Sequence, residues 1–225
     1  MLVLASASPR RLELLRNAGI DFTVQRTDIP EIPQPGEVPR AFAERLAREK
    51  ALDVFRVRPS DHILGADTIV VVDSHILGKP RDAADAARML RLLSNRSHYV
   101  TTGVCLVRPG NDVSHKYPEA ALKPTPDNRV AKTNFDQLTV DCETTLVTMG
   151  PIDDDEISAY VATGEPMDKA GAYAIQGIAS RWISRIEGDY FNVVGLPVSL
   201  ICRMLKEDGV HIPIAPPPNA TARFT

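Results

Sequence analysis

The sequence predicts an α/β fold, because short apolar strands alternate with amphipathic helices along most of the chain. Its 225 residues suit one α/β domain or two small lobes. A hydrophobic fraction of 44% and a charged fraction of 24% are ordinary for a globular protein and exclude the disordered and fibrous classes. A chain of this length can therefore bury a substantial core.

The first part of the chain is predicted to form a strand followed by two helices. The strand is the short apolar run at 2–5. Ser8 suits the capping position of the first helix, Pro9 its first turn, and Gly19 the left-handed site after its end. A second helix is predicted at about 38–57, where apolar residues recur at helical spacing.

The middle of the chain predicts a buried strand, a helix and a half-buried strand. The run at 62–73 is apolar and ends in β-branched residues, which favours a strand covered on both faces. A turn follows at 73–75, and Asp82 suits the cap of the next helix. Apolar residues alternate at 100–106, which is typical of a strand with one exposed face.

The last third predicts a strand, a helix, a hairpin and a final helix. The strand lies around 137–149, and a capping-box pattern at 153–156 opens the helix that follows. The segments 181–186 and 191–194 flank Glu-Gly-Asp, which predicts a hairpin. The final helix is predicted to begin at Pro197.

Two segments break this pattern. At about 108–135 the sequence contains several prolines and no sustained period, which predicts an inserted flexible loop, or alternatively a loop that binds a partner. The Pro-rich tail at 212–225 is predicted to be disordered. We therefore expect one domain over 1–211 that carries the insertion.

Charge and cysteine usage narrow the function classes. The formal net charge of −3 argues against nucleic acid as the main partner, because nucleic-acid-binding domains usually carry a basic face. No apolar stretch approaches the roughly 18 residues of a membrane span, so we expect no membrane partner. Three widely separated cysteines lack metal-ligand spacing and predict reduced thiols, hence a cytoplasmic location.

One candidate binding site lies at the junction between the first strand and the first helix. Ser6, Ser8, Arg10 and Arg11 meet there, and a helix N-terminus presents free N–H groups and a favourable dipole to an anion. Guanidinium groups match phosphate geometry, and serine hydroxyls can donate to the remaining oxygens. The alternative is an ordinary helix cap with solvated arginines.

Asp67 is the second candidate, because it interrupts an otherwise apolar strand. A buried carboxylate without a partner would be heavily penalised by desolvation, so a metal ion, a lysine or a catalytic water must lie close to it. Thr68 follows Asp67 and points to the opposite face of the strand.

Several cations and one polar loop could complete a polyphosphate site. Lys50, Lys79 and Lys169 each suit a surface position when taken alone, but polyphosphate chemistry needs several positive charges around the reacting phosphorus. The glycine-containing loop at 165–177 carries Lys169 and Gln176. Lys169 could instead pair with Asp168, and Gln176 could satisfy backbone groups.

Six segments in the same order resemble the Maf family of nucleotide pyrophosphatases. They are LASASPRRLELL at 4–15, REKA at 48–51, GADTIV at 65–70, LGKPRD at 77–82, GEPMDKAGAYAIQG at 164–177 and GDYFNVVGLP at 188–197. The resemblance covers about 2–107 and 136–206, which leaves the insertion and the tail outside it.

The resemblance implies an α/β fold with a mixed, bent sheet and two lobes around a central cleft. It also implies a homodimer and Mg²⁺- or Mn²⁺-dependent hydrolysis of a nucleoside triphosphate to the monophosphate and pyrophosphate. By position, Asp67 resembles the family's general base. The phosphate ligands are Arg11, Lys50 and Lys79, the loop hydroxyls are Ser6 and Ser8, and the specificity positions are Arg10, Thr68 and Gln176.

The AYAIQG form of the last loop resembles the branch of the family that prefers dTTP and UTP. A glutamine amide can donate to O4 and accept from N3–H of uracil or thymine, which agrees with that preference.

One stretch departs from the family pattern. It runs Asp28-Ile29-Pro30-Glu31, with proline where a catalytic glutamate is expected. The metal could therefore be held by Asp28, by Glu31, or by Asp67 with waters and phosphates. This departure keeps open a second hypothesis, a non-catalytic nucleotide-binding regulator of cell division.

Overall fold

The computed structural model describes residues 1–109 and 138–213. The strands in this part of the chain are β1 (Leu2–Leu4), β2 (Thr23–Val24), β3 (His62–Val72), β4 (His75–Leu77), β5 (Arg96–Val107), β6 (Leu138–Met149) and β7 (Ile183–Glu187). The α-helices are α1 (Pro9–Asn17), α2 (Pro39–Phe55), α3 (Ala83–Leu93), α4 (Asp154–Ala162), α5 (Tyr190–Val194) and α6 (Val198–Glu207). Short 3₁₀ turns at Glu165–Asp168, Ala170–Ala172 and Ile178–Arg181 separate α4 from β7.

The strands form one mixed sheet, which confirms the predicted α/β class. Their order is β2-β1-β3-β5-β6-β7, with β4 paired to the end of β3. β1 runs parallel to β2 and β3, whereas β3, β5, β6 and β7 are successively antiparallel. Helices cover both faces of the long central strands.

Helix α2 lies unusually close to one face of the sheet because two glycines face it. A Cβ atom at Gly65 would lie 2.2 Å from the carbonyl oxygen of Ala47, and one at Gly103 would lie 2.3 Å from that of Ala43. Real Cβ contacts are never that short, so any side chain here would push the helix away. The two glycines therefore set the distance between α2 and the centre of β3 and β5.

Two separate cores lie on the opposite face of β3, and they form the two lobes. Leu64 and Ala66 pack in a cluster with α1 and α6, whereas Val70 packs in a cluster with α3 and α4. Thr68 lies between them, because side chains alternate along a strand. The division between the lobes therefore falls at Thr68.

One edge of β3 is open at the same place. β1 pairs with residues 62–64 and β4 with residues 70–72 on this edge, while β5 occupies the other edge. Within the described residues no strand pairs with 65–69 on the β1 side. The sheet therefore leaves a gap beside Asp67 and Thr68, where backbone groups need partners from elsewhere.

The structure corrects two of the predicted elements. β5 is buried on both faces from Val100 onward rather than half exposed, because α2 covers one face and the two lobe cores cover the other. The predicted hairpin is wrong, since residues after Glu-Gly-Asp form helix α5. Asp189 caps α5 by accepting hydrogen bonds from the N–H groups of Phe191 and Asn192, and the Asn192 amide donates to Val100 and Thr145.

Several local predictions are confirmed. Gly19 adopts a positive φ of 68° after α1, and Asp82 accepts from the N–H of Asp85 at the start of α3. Asp153 and Glu156 form both hydrogen bonds of a capping box at α4. The insertion at 108–135 and the tail at 212–225 lie almost entirely outside the described residues, so the single domain over 1–211 stays a prediction.

A buried histidine makes the stability of the fold depend on pH. His98 of β5 is 1% exposed, and its Nε2 atom lies 2.8 Å from the Tyr173 hydroxyl. Burial lowers the pKa of His98 to about 4. In the unfolded chain His98 binds a proton below pH ~6.5, whereas in the native state it stays neutral down to about pH 4. The free energy of unfolding therefore decreases as pH falls through this window.

We expect the free energy of unfolding to fall by up to about 3 kcal/mol between pH 6.5 and 4 because of this histidine. Chemical denaturation of the wild type and His98→Gln across this range measures the effect. Glutamine keeps a polar partner for Tyr173 but does not titrate. Identical pH profiles for the two proteins would contradict the prediction.

Candidate active site

A cleft of about 610 Å³ opens at the gap in the edge of β3. It is lined by α1 and the loop before it, the loop before α2, the centre of β3, the segment after β4 and the 3₁₀ region after α4. Most of the residues predicted as site candidates line this cleft, namely Ser6, Ser8, Arg10, Arg11, Glu31, Lys50, Asp67, Thr68, Lys79, Lys169 and Gln176. The tertiary structure therefore brings together the positions that the sequence spreads over 170 residues.

Asp67 is buried at the centre of β3, with 5% of its surface exposed. Its Oδ1 atom lies 2.5 Å from Nζ of Lys50, which is the partner that a carboxylate in an apolar strand requires. Burial raises the pKa of Asp67, although the charges of Lys50 and Arg11 act in the opposite direction. The carboxylate is thus a stronger base than an exposed aspartate.

Lys50 connects two carboxylates. Besides Asp67, its ammonium group contacts Oε1 of Glu31 at 2.7 Å. Lys50 reaches Asp67 because Gly65 and Gly103 allow α2 to approach β3, and Gly103 pairs with Asp67 in the sheet. The same helix position on a more distant helix would leave the ammonium short of the carboxylate.

Glu31 enters the cleft from the loop before α2. Oε2 of Glu31 also contacts Nζ of Lys79 at 3.2 Å. Burial alone would raise the pKa of Glu31, but its contacts with Lys50 and Lys79 outweigh burial and lower it. Glu31 is therefore a carboxylate at neutral pH, held between two lysines.

Although Pro30 stands where a glutamate was expected, an acidic residue of the same loop lies near Asp67, and it is Glu31. Glu31 points to Lys50 and Lys79, whereas Asp28 lines the cleft without a partner among the described residues. Arg45 fixes the Glu31 loop, because it donates to the carbonyl of Ile32 and forms a buried ion pair with Glu37. Sequence reasoning missed Arg45, for which the only sequence signal was its spacing of four from Glu49 on the same helix.

Arg11 fills the gap at the edge of β3 with hydrogen-bond donors. Its guanidinium donates to the carbonyl oxygens of Ala66 at 2.7 Å and Gly195 at 2.8 Å, and to the Thr68 hydroxyl at 2.9 Å. Arg11 also lies 3.4 Å from Oγ of Ser6. Four of its five N–H donors are therefore directed at protein groups, and the carbonyl exposed by the missing strand has a partner.

The start of α1 keeps free donors. Ser8 occupies the capping position as predicted, but its hydroxyl makes no capping hydrogen bond. In the part of the chain that the structure describes, the N–H groups of Arg10 and Arg11 have no acceptor. These donors and the Ser8 hydroxyl line the cleft and can receive an anion.

Arg10 and Lys169 contact the same carboxylate, that of Asp168, at the wall of the cleft. Arg10 pairs with Asp168 at 3.5 Å. Lys169 contacts the same carboxylate and donates to the carbonyl of Glu165 at 2.7 Å. The local ion pair considered for Asp168 and Lys169 is therefore present, and it is shared with Arg10 of the other lobe.

Gln176 lies at the tip of a turn closed by a hydrogen bond from Gly177 N–H to the carbonyl of Ala174. Its side chain is exposed and lines the cleft, and no described residue bonds to its amide. The amide is therefore available to a ligand rather than used to satisfy the backbone.

The donor set suits a hard divalent cation. Glu31 and Asp67 converge on one ammonium group, so carboxylate oxygens from two elements reach the same place. No group of three or more His, Cys, Asp and Glu side chains within the described residues forms a protein-only metal cage. Two carboxylates completed by phosphate oxygens and water agree with the way proteins bind Mg²⁺.

Known proteins resemble this chain over almost all of its described residues. The sequence model of the Maf family, described as "Maf-like protein", matches residues 1–208. The chain belongs to the Maf family. The match spans nearly all the described residues of this Maf-like protein, including all those that line the cleft.

Two relatives show how similar the chain is to other members. The dTTP/UTP pyrophosphatase of Koribacter versatilis is 51% identical over 93% of this chain and 95% of its own length. The dTTP/UTP pyrophosphatase of Geobacter sulfurreducens is 49% identical over 92% of this chain and 96% of its own length. A solved nucleoside-triphosphatase, the dITP/XTP pyrophosphatase of Mycobacterium abscessus, is a distant structural match, with 12% identity and a TM-score of 0.39 over 93% of this chain and 96% of its own.

Among the described helices of this Maf-like protein, none has the length and apolar character needed to cross a bilayer.

Proposed function

We propose that this Maf-like protein is a nucleoside triphosphate pyrophosphatase that hydrolyses dTTP and UTP to the monophosphate and pyrophosphate. The observation that carries the proposal is the buried Asp67 carboxylate, paired with Lys50 and facing Glu31 in a cleft lined by cations from both lobes. The names of the similar proteins support the same reaction and give no support to the non-catalytic regulator.

In this proposal the cations hold the triphosphate. The loop before α1 and the first turn of α1 present the Ser6 and Ser8 hydroxyls, free N–H groups and the Arg10 guanidinium to phosphate oxygens, and Arg11 adds its one remaining N–H donor. Lys50 and Lys79 line the same cleft. Lys50 and Lys79 exchange part of their contact with Glu31 for phosphate oxygens when substrate enters. Charge that develops on the leaving pyrophosphate is then met by fixed positive groups.

Asp67 acts as the general base. It accepts a proton from a water molecule, whose oxygen attacks the α-phosphorus, and the bond from that phosphorus to the oxygen bridging to the β-phosphorus breaks. Among the described residues only Lys50 contacts the carboxylate, through Oδ1, so Oδ2 is left to accept the proton.

Glu31 and Asp67 would hold Mg²⁺ or Mn²⁺ together with the phosphates. Such an ion supplies charge neutralisation on the polyphosphate. Glu31 suits this role because its pKa is lowered, so it is ionised over the whole neutral range.

Gln176 is proposed to read the nucleobase, with Arg10 and Thr68 shaping the same end of the cleft and Lys169 contacting the substrate. The exposed, unpartnered Gln176 amide supports this role. We further propose a homodimer that acts in the cytoplasm, in keeping with the family resemblance and with three free cysteines.

A panel of nucleotides tests the proposal. Pyrophosphate release is measured with dTTP, UTP, CTP, ATP, GTP and 7-methyl-GTP, with Mg²⁺ or Mn²⁺ and with a chelator. We expect kcat/KM for dTTP and UTP to exceed that for the other nucleotides by at least about tenfold, because a polar site rejects bases that leave its groups unpaired. Binding of dTTP or UTP without metal-stimulated turnover would favour the regulator instead.

A further inference from the structure

The turn that carries Gln176 is held at both ends by one pair of side chains, Tyr160 and Glu165. Gln176 sits between Ala174 and Gly177, whose own hydrogen bond closes the turn. Neither Tyr160 nor Glu165 lines the cleft. Their contacts with the turn therefore act on a ligand only through Gln176 and its neighbours.

Tyr160 holds the first end of the turn. Its side chain is 2% exposed in α4, and its ring packs edge-to-face on Trp182 with centroids 5.4 Å apart. The hydroxyl accepts a hydrogen bond from Ala174 N–H at 3.3 Å and donates to Oε1 of Glu165 at 2.8 Å. Burial raises the pKa of Tyr160, so the hydroxyl remains a donor at neutral pH.

Glu165 holds the second end. Its carboxylate accepts from the N–H of Ile178, with Oε1 at 3.1 Å and Oε2 at 3.3 Å. The same carboxylate lies against Gly177, where an added Cβ atom would be 2.1 Å from Oε1. Residue 177 must therefore lack a side chain for Glu165 to reach past it.

A glutamine amide can pair with more than one pyrimidine base, so the position of the turn that carries it matters for selectivity. A glutamine amide carries both donors and an acceptor, and it matches uracil or thymine in one orientation and cytosine in the other. The amide can rotate between these two orientations, so it does not discriminate by itself. Discrimination therefore also depends on the backbone groups of the turn, which line the cleft and cannot exchange donor for acceptor, and on how firmly they are held in place.

We propose that Tyr160 and Glu165 are positioning residues that set the nucleobase selectivity of the cleft by clamping the Gln176 turn. This inference rests on the proposed function, since it deepens the role of Gln176 as the base reader. The clamp holds two N–H groups, that of Ala174 through the Tyr160 hydroxyl and that of Ile178 through the Glu165 carboxylate, and the hydrogen bond between Tyr160 and Glu165 joins its two halves.

The test compares Tyr160→Phe and Glu165→Ala with Glu165→Gln. Phenylalanine keeps the buried ring but removes one donated and one accepted hydrogen bond, whereas Gln at 165 keeps an acceptor for both neighbours. For Tyr160→Phe and Glu165→Ala we expect the dTTP-to-CTP ratio of kcat/KM to fall roughly tenfold, with kcat for dTTP changed less than about threefold. Glu165→Gln should keep most of the wild-type ratio.

Ser94→Ala is the matched control. The Ser94 hydroxyl also makes one donated and one accepted hydrogen bond, both with the backbone of Ile152 and away from the turn. We expect Ser94→Ala to lose about as much thermal stability as Tyr160→Phe but to keep the wild-type dTTP-to-CTP ratio of kcat/KM.

Three results separate the possible failures. The clamp would be overturned if Tyr160→Phe and Glu165→Ala both kept the wild-type dTTP-to-CTP ratio of kcat/KM. It would also be overturned if Ser94→Ala lowered that ratio as much as they do. Amide hydrogen exchange adds a reading that needs no turnover, since the amides of 174 and 178 should exchange faster in Tyr160→Phe and Glu165→Ala respectively. A wild type that releases pyrophosphate from no nucleotide would instead overturn the proposed function, and the selectivity role with it.

Discussion

Asp67→Asn is expected to lower kcat for dTTP about 100- to 10,000-fold, which is the usual contribution of a positioned general base. Asparagine has the same shape, and its amide oxygen can still accept from Lys50, but it cannot take a proton from water. The buried carboxylate is itself disfavoured by desolvation, so its replacement should leave the unfolding temperature close to that of the wild type. Steady-state pyrophosphate release and thermal unfolding together measure both expectations.

The control for Asp67→Asn is Asp28→Asn. Asp28 lines the same cleft, but no described residue pairs with it. We expect this variant to retain kcat within a few-fold of the wild type, because it changes the charge of the cleft without removing the base. Full turnover by Asp67→Asn would rule out the general-base role.

Gly65→Ala is expected to damage both stability and activity. Its Cβ atom would lie 2.2 Å from Ala47 O and 2.8 Å from Ala51 N, and both are backbone atoms of α2 that cannot rotate away. We expect a loss of about 1–3 kcal/mol of unfolding free energy, the usual cost of overpacking, with a fall of about 2–4 °C in Tm for each kcal/mol.

The same substitution should lower kcat/KM by up to about 100-fold, because a shift of roughly 1 Å in α2 moves the Lys50 ammonium relative to Asp67. Gly150→Ala provides the comparison, since a Cβ atom there meets only Trp182 O at an ordinary 3.4 Å. Wild-type Tm and activity in Gly65→Ala would show that α2 does not depend on this close approach.

Local signals in the sequence predicted most of the elements correctly. Caps, a left-handed glycine and an apolar period depend on neighbours within a few residues, so Asp82, Asp153 and Gly19 could be assigned without tertiary information. The segment after Glu-Gly-Asp was predicted wrongly, because its Phe, Val and Val favour a strand locally. Asp189 and the long-range hydrogen bonds of Asn192 decide for a helix.

For the candidate site, too, some features follow from the sequence and others only from the tertiary structure. The sequence by itself determined the family pattern and the need for a partner at Asp67, because a carboxylate in an apolar strand is costly wherever the strand lies. Only the tertiary structure decided that this partner is Lys50, that Glu31 faces it despite Pro30, and that Tyr160 and Glu165 hold the Gln176 turn. Each of these contacts joins different elements, and its distance depends on how closely α2 and the lobes pack on the sheet, which local sequence does not specify.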